Sequence, residues 1–145
     1  MIDARLAPLQ EWILRKPAAA LNRRGIRADQ ITLAGFALGV LGVLALAFEA
    51  YALALALLAL NRLADGIDGA VARATGPTDR GAFLDIALDF AFYALFPLGF
   101  ALADPAANAL PAAVLVASFI GTGSSFLAFA IIAAKRGKTL EEITG

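Results

Sequence analysis

The sequence contains no cysteine and no histidine among its 145 residues. Without cysteine, neither a disulfide framework nor a thiolate metal site can form. Without histidine, a general base has to be a carboxylate or a less usual group, and a metal site has to be built from oxygen ligands. The formal net charge is zero, so composition gives no bulk electrostatic case for binding nucleic acid.

Charged residues are also few, at 17%, whereas hydrophobic residues make up 61% of the chain and the mean hydropathy is +0.78. A soluble domain is nearer half apolar. Here the apolar residues lie in long blocks, so lipid is the expected solvent of the fold. We therefore predict an all-α, polytopic transmembrane helical bundle that forms one membrane domain over residues 1–145.

Residues 1–28 predict an amphipathic interfacial helix followed by a basic linker. The helix is too polar to cross a membrane but long enough to lie in its interface, with an ordinary solvated helix as the alternative. The first thirty residues lack the apolar core of a signal peptide, so none is expected. Apolar residues recur at helical spacing at Ile2, Leu6, Leu9 and Ile13, with Trp12 beside them.

Two residues suggest where this first helix ends and the next one begins. Pro17 is expected to interrupt the helix, because an internal proline removes a backbone hydrogen bond. Asp29 suits the N-cap of the following helix, where its carboxylate could accept a hydrogen bond from a free backbone N–H.

Four transmembrane helices are predicted within residues 29–135, and residues 136–145 form a polar tail. Their approximate bounds are residues 31–48, 51–73, 82–103 and 110–134. The second is apolar only to Leu60 and then turns polar. Gly35, Gly39 and Gly42 form a small-residue stripe on the first span, which favours the close approach of another helix.

Arginine and lysine predict the orientation of the bundle. Apart from Arg62, they all fall before the first span, around the link between the second and third spans, or after the fourth. This is the positive-inside pattern, and it predicts that both termini and that link are cytoplasmic.

Two pairs of aspartates lie in the polar part of this predicted bundle. Asp65 and Asp68 are three residues apart, and Asp85 and Asp89 are four apart, so each pair shares one helix face. A short loop joins the two helices, which we expect to be antiparallel neighbours with both pairs near the cytoplasmic end. At ~1.5 Å per residue, Asp65 lies ~21 Å along its helix from Tyr51, several ångströms inside a core of ~30 Å.

Four carboxylates at this depth require compensating positive charge. An ionised aspartate at mid-membrane costs ~2.5–3.5 kcal/mol on insertion scales, and four would also repel one another. Arg73 alone cannot neutralise them, whereas two divalent cations would, and oxygen ligation suits Mg²⁺, Mn²⁺ or Ca²⁺. Small residues beside the acids give a nucleotide room to approach or allow close helix packing: Gly66, Gly69, Ala70, Ala72 and Gly81.

The complete string resembles the signature of the CDP-alcohol phosphotransferase family, D-x-x-D-G-x-x-A-R followed by G-x-x-x-D-x-x-x-D. The resemblance extends over about residues 17–135 and includes the segment RADQITLAG before the first span. All eight fixed positions are present, at Asp65, Asp68, Gly69, Ala72, Arg73, Gly81, Asp85 and Asp89.

The resemblance implies a reaction in phospholipid biosynthesis. Such enzymes transfer a phospho-alcohol, often phosphatidyl from the lipid CDP-diacylglycerol, to the hydroxyl of a small alcohol and release CMP. It also implies two divalent cations, Mg²⁺ or Mn²⁺, and a homodimer. By the family's pattern Asp65, Asp68, Asp85 and Asp89 would bind metal and Asp89 would also take the acceptor's proton, while the nucleotide would be bound by Asp65, Gly69, Ala72, Arg73 and Gly81.

One feature departs from the family. Its members usually have six spans, and only four are predicted here, so truncation after the fourth span is one expectation. The identity of the acceptor and the activity of the 145-residue chain therefore stay open. The alternatives are a structural or catalytically incomplete family member, an intramembrane prenyltransferase, or an ion pathway. A pathway would spread its acids across the membrane depth, and the prenyltransferase acids follow a different spacing.

Two polar segments outside the signature have weaker interpretations. Asn61 could face the nucleotide, but an interhelical hydrogen bond is favoured. Gly121 and Gly123 in the fourth span could line the site, but helix packing is favoured.

Overall fold

The computed structural model describes residues 2–137, with side chains from Ile13 onward; the polar tail from residue 138 lies outside the described residues. The described chain is helical throughout and has no strand. Its elements are α1 (Ile2–Arg23), α2 (Ala28–Ala47), α3 (Tyr51–Thr75), α4 (Asp79–Ala103) and α5 (Pro105–Lys135). The predicted all-α membrane bundle is confirmed.

Three helices are long and apolar enough to cross a membrane, namely α2, α4 and α5. Large apolar side chains lie exposed along them, among them Leu41, Leu98 and Ile131, as expected where lipid covers the surface. The C-terminal half of α3 is too polar to meet the same criterion, because it carries the motif residues.

A crossing by α3 stays a prediction, which the connectivity supports. Residues 48–50 join α3 to α2 and residues 76–78 join it to α4. At ~1.5 Å per residue, the 25 residues of α3 extend ~37 Å, which exceeds a hydrocarbon thickness of ~30 Å. If α2 and α4 cross in the same direction, α3 has to return the chain between them.

The glycines of α2 set how the central helices pack. A Cβ atom at Gly35 would lie 2.9 Å from the Cβ of Ala64 in α3, and one at Gly39 would lie 2.8 Å from the Phe92 ring in α4. The order of such contacts along the chain makes α2 antiparallel to α3 and parallel to α4. These side-chain-free positions bring the three helices within close-packing distance.

The prediction that α3 and α4 are neighbours is confirmed, because an Arg62 nitrogen of α3 lies 3.3 Å from an Asp89 oxygen of α4. The two helices are antiparallel, but both pack along α2, and among the described residues their backbones have hardly any direct contact. Side chains therefore make the contact between them, and carboxylate oxygens of Asp65 and Asp68 on α3 lie within 4.8 Å of Asp85 on α4.

α5 packs on α4 alone at the edge of the bundle. The rings of Tyr93 and Phe119 lie 5.5 Å apart, and Gly123 lies directly against Phe90. The packing interpretation of Gly123 is confirmed, whereas Gly121 faces open space.

α1 does not end at Pro17, which corrects the sequence-based prediction. The helix continues to Arg23, because Ala18 is almost fully buried in a cluster with Ile31 of α2 and Val71 of α3. Burial of this face and the run of alanines after Pro17 outweigh the lost hydrogen bond. The predicted face of Ile2, Leu6, Leu9 and Trp12 lies outside the described side chains.

Asp29 is not the N-cap of α2, which is a second correction. Arg27 occupies that position, and its backbone N–H donates to the side-chain oxygen of Gln30 at 2.9 Å. Because Gln30 satisfies the cap, Asp29 is left in the first turn, where its carboxylate lies 3.4 Å from Arg80 at the start of α4.

Alanine substitutions test the packing at α2. We expect Gly35→Ala to lower the stability of the bundle by about 1–3 kcal/mol, because neither Cβ atom can move without displacing a helix. Gly121→Ala is the matched control. Because alanine favours helix more than glycine does, the stability of this variant should be unchanged or up to about 1 kcal/mol higher. Thermal unfolding in detergent measures both, and equal effects would contradict the close approach of α2 and α3.

Candidate active site

Three of the four predicted acids converge on one point. Carboxylate oxygens of Asp65, Asp68 and Asp85 lie within 4.8 Å of one another, with Asp68 buried, Asp65 half-buried and Asp85 exposed. Hard cations bind oxygen ligands at about 2.0–2.6 Å, so oxygens up to about twice that distance apart can share one ion. The donor set and its spacing therefore fit a divalent cation.

Asp68 is held by a residue that the sequence analysis missed. The Thr32 hydroxyl lies 2.5 Å from a carboxylate oxygen of Asp68 and 3.1 Å from the carbonyl of Ala28. Since a hydroxyl carries one hydrogen, the shorter contact identifies Asp68 as its main acceptor. The only signal in the sequence is a lone hydroxyl near the start of an apolar helix, which is too common to indicate a role.

Asp89 lies outside this group of three and is paired with Arg62. A guanidinium nitrogen lies 3.3 Å from Asp89, and another lies 3.8 Å from Asp65. Arg62 also donates to Asn61 at 2.9 Å and lies over the Phe92 ring. The sequence analysis treated Arg62 only as an exception to the charge pattern, because its partner on α4 is 27 residues away in the chain.

Asn61 makes the predicted interhelical hydrogen bond. Its side-chain amide donates to the carbonyl of Gly35 at 2.9 Å, and the residue is buried. This hydrogen bond fixes the Asn61 side chain, whose oxygen accepts the hydrogen bond from Arg62.

The remaining motif residues lie along a cleft beside the acids. The cleft has an empty volume of about 1660 Å³, including space open to solvent, and is bounded by the start of α2, the end of α3 and the start of α4. It is lined by Gly69, Ala72, Arg73 and Gly81 together with Asp68 and Asp85.

The glycines beside the acids have different structural roles. At Gly81 a Cβ would lie 3.1 Å from the hydroxyl of Thr78, which caps α4, and at Gly69 it would lie 3.3 Å from the Arg73 guanidinium. Gly66 packs instead against Leu14 of α1, at 2.8 Å from the Cβ position. Gly66 therefore fits the close-packing interpretation, whereas Gly69 and Gly81 line the cleft and the room they would give a nucleotide stays a prediction.

A smaller, inner cavity adjoins the cleft, with an empty volume of about 280 Å³ that includes space open to solvent. The two spaces share Thr32, Asp68 and Asp85 in their walls, while Arg62, Asp65 and Asp89 line the smaller one only. Asp68 and Asp85 thus lie where the cleft meets the inner cavity.

Replacing Thr32 tests how far its hydroxyl supports Asp68. We expect Thr32→Val to lower the free energy of unfolding by about 1.5–3 kcal/mol, because a buried carboxylate loses a donor. Thr122→Val in α5 removes an exposed hydroxyl that bonds only to its own helix, and should change stability by less than about 0.5 kcal/mol. Denaturation in the absence of metal measures the free energy of unfolding of both variants. Equal changes would show that the Thr32 hydroxyl does not support Asp68.

Sequence comparison agrees with this arrangement. The profile of the CDP-alcohol phosphatidyltransferase family matches residues 26–144. The chain is 53% identical over 135 residues to "Inner membrane protein YnjF" of Escherichia coli (strain K12), a match that covers 93% of this chain. It is 39% identical over 90 residues, 61% of the chain, to an "Uncharacterized protein" of Aquifex aeolicus (strain VF5).

These matches cover 66% and 46% of the lengths of the two relatives. No solved structure matches the chain. The profile covers all of α2 to α5 and every motif residue, and the apolar helices and the E. coli relative agree on an integral membrane protein. The chain belongs to the CDP-alcohol phosphatidyltransferase family, a family of transferases.

Proposed function

We propose that this chain transfers a phospho-alcohol group from a CDP-linked donor to an acceptor hydroxyl, with release of CMP. The supporting observation is the convergence of Asp65, Asp68 and Asp85 within 4.8 Å beside a cleft lined by Gly69, Ala72, Arg73 and Gly81. The E. coli relative is named only as an inner membrane protein, so its name supports a membrane location and carries no information about the reaction.

A divalent cation, Mg²⁺ or Mn²⁺, held by Asp65, Asp68 and Asp85 would stabilise negative charge on the donor's diphosphate. We propose two such cations for the complete site, because two divalent cations would balance the negative charge of the four acids. The chain contributes an oxygen-only donor set of which Asp68 is buried, and Thr32 orients the Asp68 carboxylate.

The remaining residues receive roles that fit their positions. Gly69, Ala72 and Gly81 leave backbone surface along the cleft for the nucleotide, and Arg73 lines the same wall with a charge complementary to phosphate. Asp89 lies in the adjoining inner cavity, where it can accept the proton of an acceptor hydroxyl.

The transfer itself balances as a substitution at phosphorus. The acceptor oxygen bonds to the phosphorus that carries the alcohol, and the bond from that phosphorus to the bridging oxygen of CMP breaks. The bridging electron pair leaves with CMP, and the acceptor proton passes to Asp89. The products are a phosphodiester and CMP.

We further propose that the donor is a lipid, CDP-diacylglycerol, used in phospholipid biosynthesis. The acids lie within helices whose outer faces are apolar, so lipid chains can lie beside the cleft while the headgroup enters it. The acceptor would be a small alcohol, and the assembly a homodimer as the family resemblance implies.

Binding of CMP tests the nucleotide site separately from turnover. We expect purified chain in detergent to bind CMP with Mg²⁺ or Mn²⁺ and to lose binding with EDTA. Asp65→Asn, Asp68→Asn and Asp85→Asn should each abolish metal-dependent binding and turnover, because each removes a ligand charge. Asp104→Asn is the control, since Asn caps a helix as well as Asp and Asp104 caps α5 at the other end of α4.

In the same assay, Asp89→Asn should reduce turnover at least about 100-fold while changing CMP affinity far less, as expected for a general base. Normal turnover by Asp89→Asn would exclude it as the base. Metal-independent CMP binding, or none with any metal, would contradict the proposed function and favour a structural or incomplete family member.

Cysteine labelling tests the proposed cytoplasmic orientation, and the absence of native cysteine gives it no background. We expect Arg136→Cys, after α5, to react from the cytoplasmic side only, because arginine and lysine cluster there. Glu49→Cys in the link between α2 and α3 should react only from the opposite side. Labelling of both from one side would exclude the predicted topology.

A further inference from the structure

The outer side of α1 carries a local excess of positive charge. Five of the chain's twelve basic residues lie within residues 13–27, and this segment contains no aspartate or glutamate. The fifth of them, Arg27, lines the cleft. The other four are exposed and form the basic surface of α1, which consists of Arg15, Lys16, Arg23 and Arg24.

The packing of α1 turns this surface away from the bundle. Leu14 and Ala18 are buried, and Leu21 packs against the cluster that contains Ala18. Positions four and seven residues apart share one face of a helix. At about 100° per residue, Lys16 and Arg23 lie roughly opposite Leu14. The apolar face of α1 is therefore used by the protein, and the cations point outward.

The contacts of α1 also set its level along α3. Leu14 lies against Gly66, and Ala18 clusters with Val71. These two residues of α3 come 15 and 20 residues after Tyr51, or ~22 and ~30 Å along the helix. If α3 crosses a hydrocarbon core of ~30 Å as predicted, this part of α1 lies where that core meets the phospholipid headgroups.

Helix stability alone does not account for the basic surface. Arg23 lies in the last turn of α1, where a cation interacts favourably with the helix dipole. Arg15 and Lys16 lie seven and eight residues before the end of the helix, beyond the reach of that effect. None of the four cations forms an ion pair with another described side chain. Their charge is thus available to a partner outside the described part of the chain.

We propose that the basic surface of α1 binds the headgroups of anionic phospholipids. Clusters of about four to eight cations beside a membrane-spanning helix or on an amphipathic helix are typical of such binding. The long stems of lysine and arginine let the charges reach the headgroups, while the exposed Ile13 can contact the adjoining acyl chains. The proposal goes beyond the proposed function and does not depend on it.

Site-specific quenching in vesicles measures this lipid preference beside α1. Because the chain lacks cysteine, Ala19→Cys carries a single neutral fluorophore on the exposed side of the helix, between Lys16 and Arg23. The labelled full chain is reconstituted in phosphatidylcholine. Quenching by phosphatidylglycerol with a nitroxide near the headgroup end of one acyl chain is then compared with quenching by phosphatidylcholine that carries the same nitroxide.

We expect phosphatidylglycerol to associate at least about fivefold more strongly than phosphatidylcholine at low salt. The preference should fall below about twofold in ~1 M salt, where the Debye length is only ~3 Å. Equal quenching by the two lipids at low salt, or a preference that salt leaves unchanged, would overturn the proposal. This comparison uses the labelled parent chain alone, so it does not require any charge variant to fold.

Charge variants locate the preference on α1. Lys16→Gln/Arg23→Gln should lower the preference for phosphatidylglycerol at least about threefold, because two of the four cations are removed. Lys135→Gln/Arg136→Gln removes two exposed cations at the end of α5 and is the matched control, which should stay within about 1.5-fold of the parent. Equal losses from the two pairs would overturn the assignment to α1.

A charge-conserving exchange separates electrostatic binding from a structural role of the same side chains. Lys16→Arg/Arg23→Lys keeps both charges and should retain the preference within about 1.5-fold of the parent, since a headgroup layer attracts charge of either kind. A loss as large as that of Lys16→Gln/Arg23→Gln would show that side-chain packing, and not charge, controls the lipid beside α1, and would overturn the proposal.

Discussion

The close approach of α2 to both α3 and α4 is the constraint on which the site depends. Gly35 and Gly39 bring the backbone of α2 against Ala64 of α3 and Phe92 of α4. Because both helices pack on α2, α3 and α4 meet through side chains at the end of the bundle that carries the motif. The cleft lies at this end, with Asp68 of α3 and Asp85 of α4 in its wall. Larger side chains at these glycines would change the distance between the two halves of the metal-binding set.

Charge compensation is the second constraint, because four acids lie close together in a largely apolar bundle. Asp65 pairs with Arg62 of its own helix, and the described partners of Asp68 and Asp89 come from other helices. Thr32 of α2 donates to Asp68, and Arg62 of α3 pairs with Asp89 of α4. Arg62 pairs with Asp65 and Asp89, and the proposed divalent cation would add positive charge beside the acids. The polar partners and the metal would therefore act together in stabilising this part of the bundle.

The helix ends show why local sequence rules gave two wrong predictions. Pro17 and Asp29 are strong local signals for a helix end and an N-cap. In the structure, burial of Ala18 against α2 and α3 carries α1 past the proline, and Gln30 supplies the cap of α2. The packing partners of Ala18 are distant in the chain, and Gln30 is a less common capping residue. A cap contributes about 1 kcal/mol and an internal proline costs about 3 kcal/mol, so other contacts of this size can override either signal. The expected pairing of α3 with α4 was correct for their side chains, but the short loop does not specify that the backbones of both helices pack on α2.

The sequence by itself determined the class of fold, the four acids and the family, because these depend on composition and on spacings along single helices. Asp65 with Asp68, and Asp85 with Asp89, share a face wherever their helices pack. Only the tertiary structure decided that three acids converge while Asp89 is drawn towards Arg62, and that Thr32 supports Asp68. These contacts join residues 27 and 36 positions apart. Their geometry is set by how closely the glycines of α2 let three helices approach, which no spacing along one helix can specify.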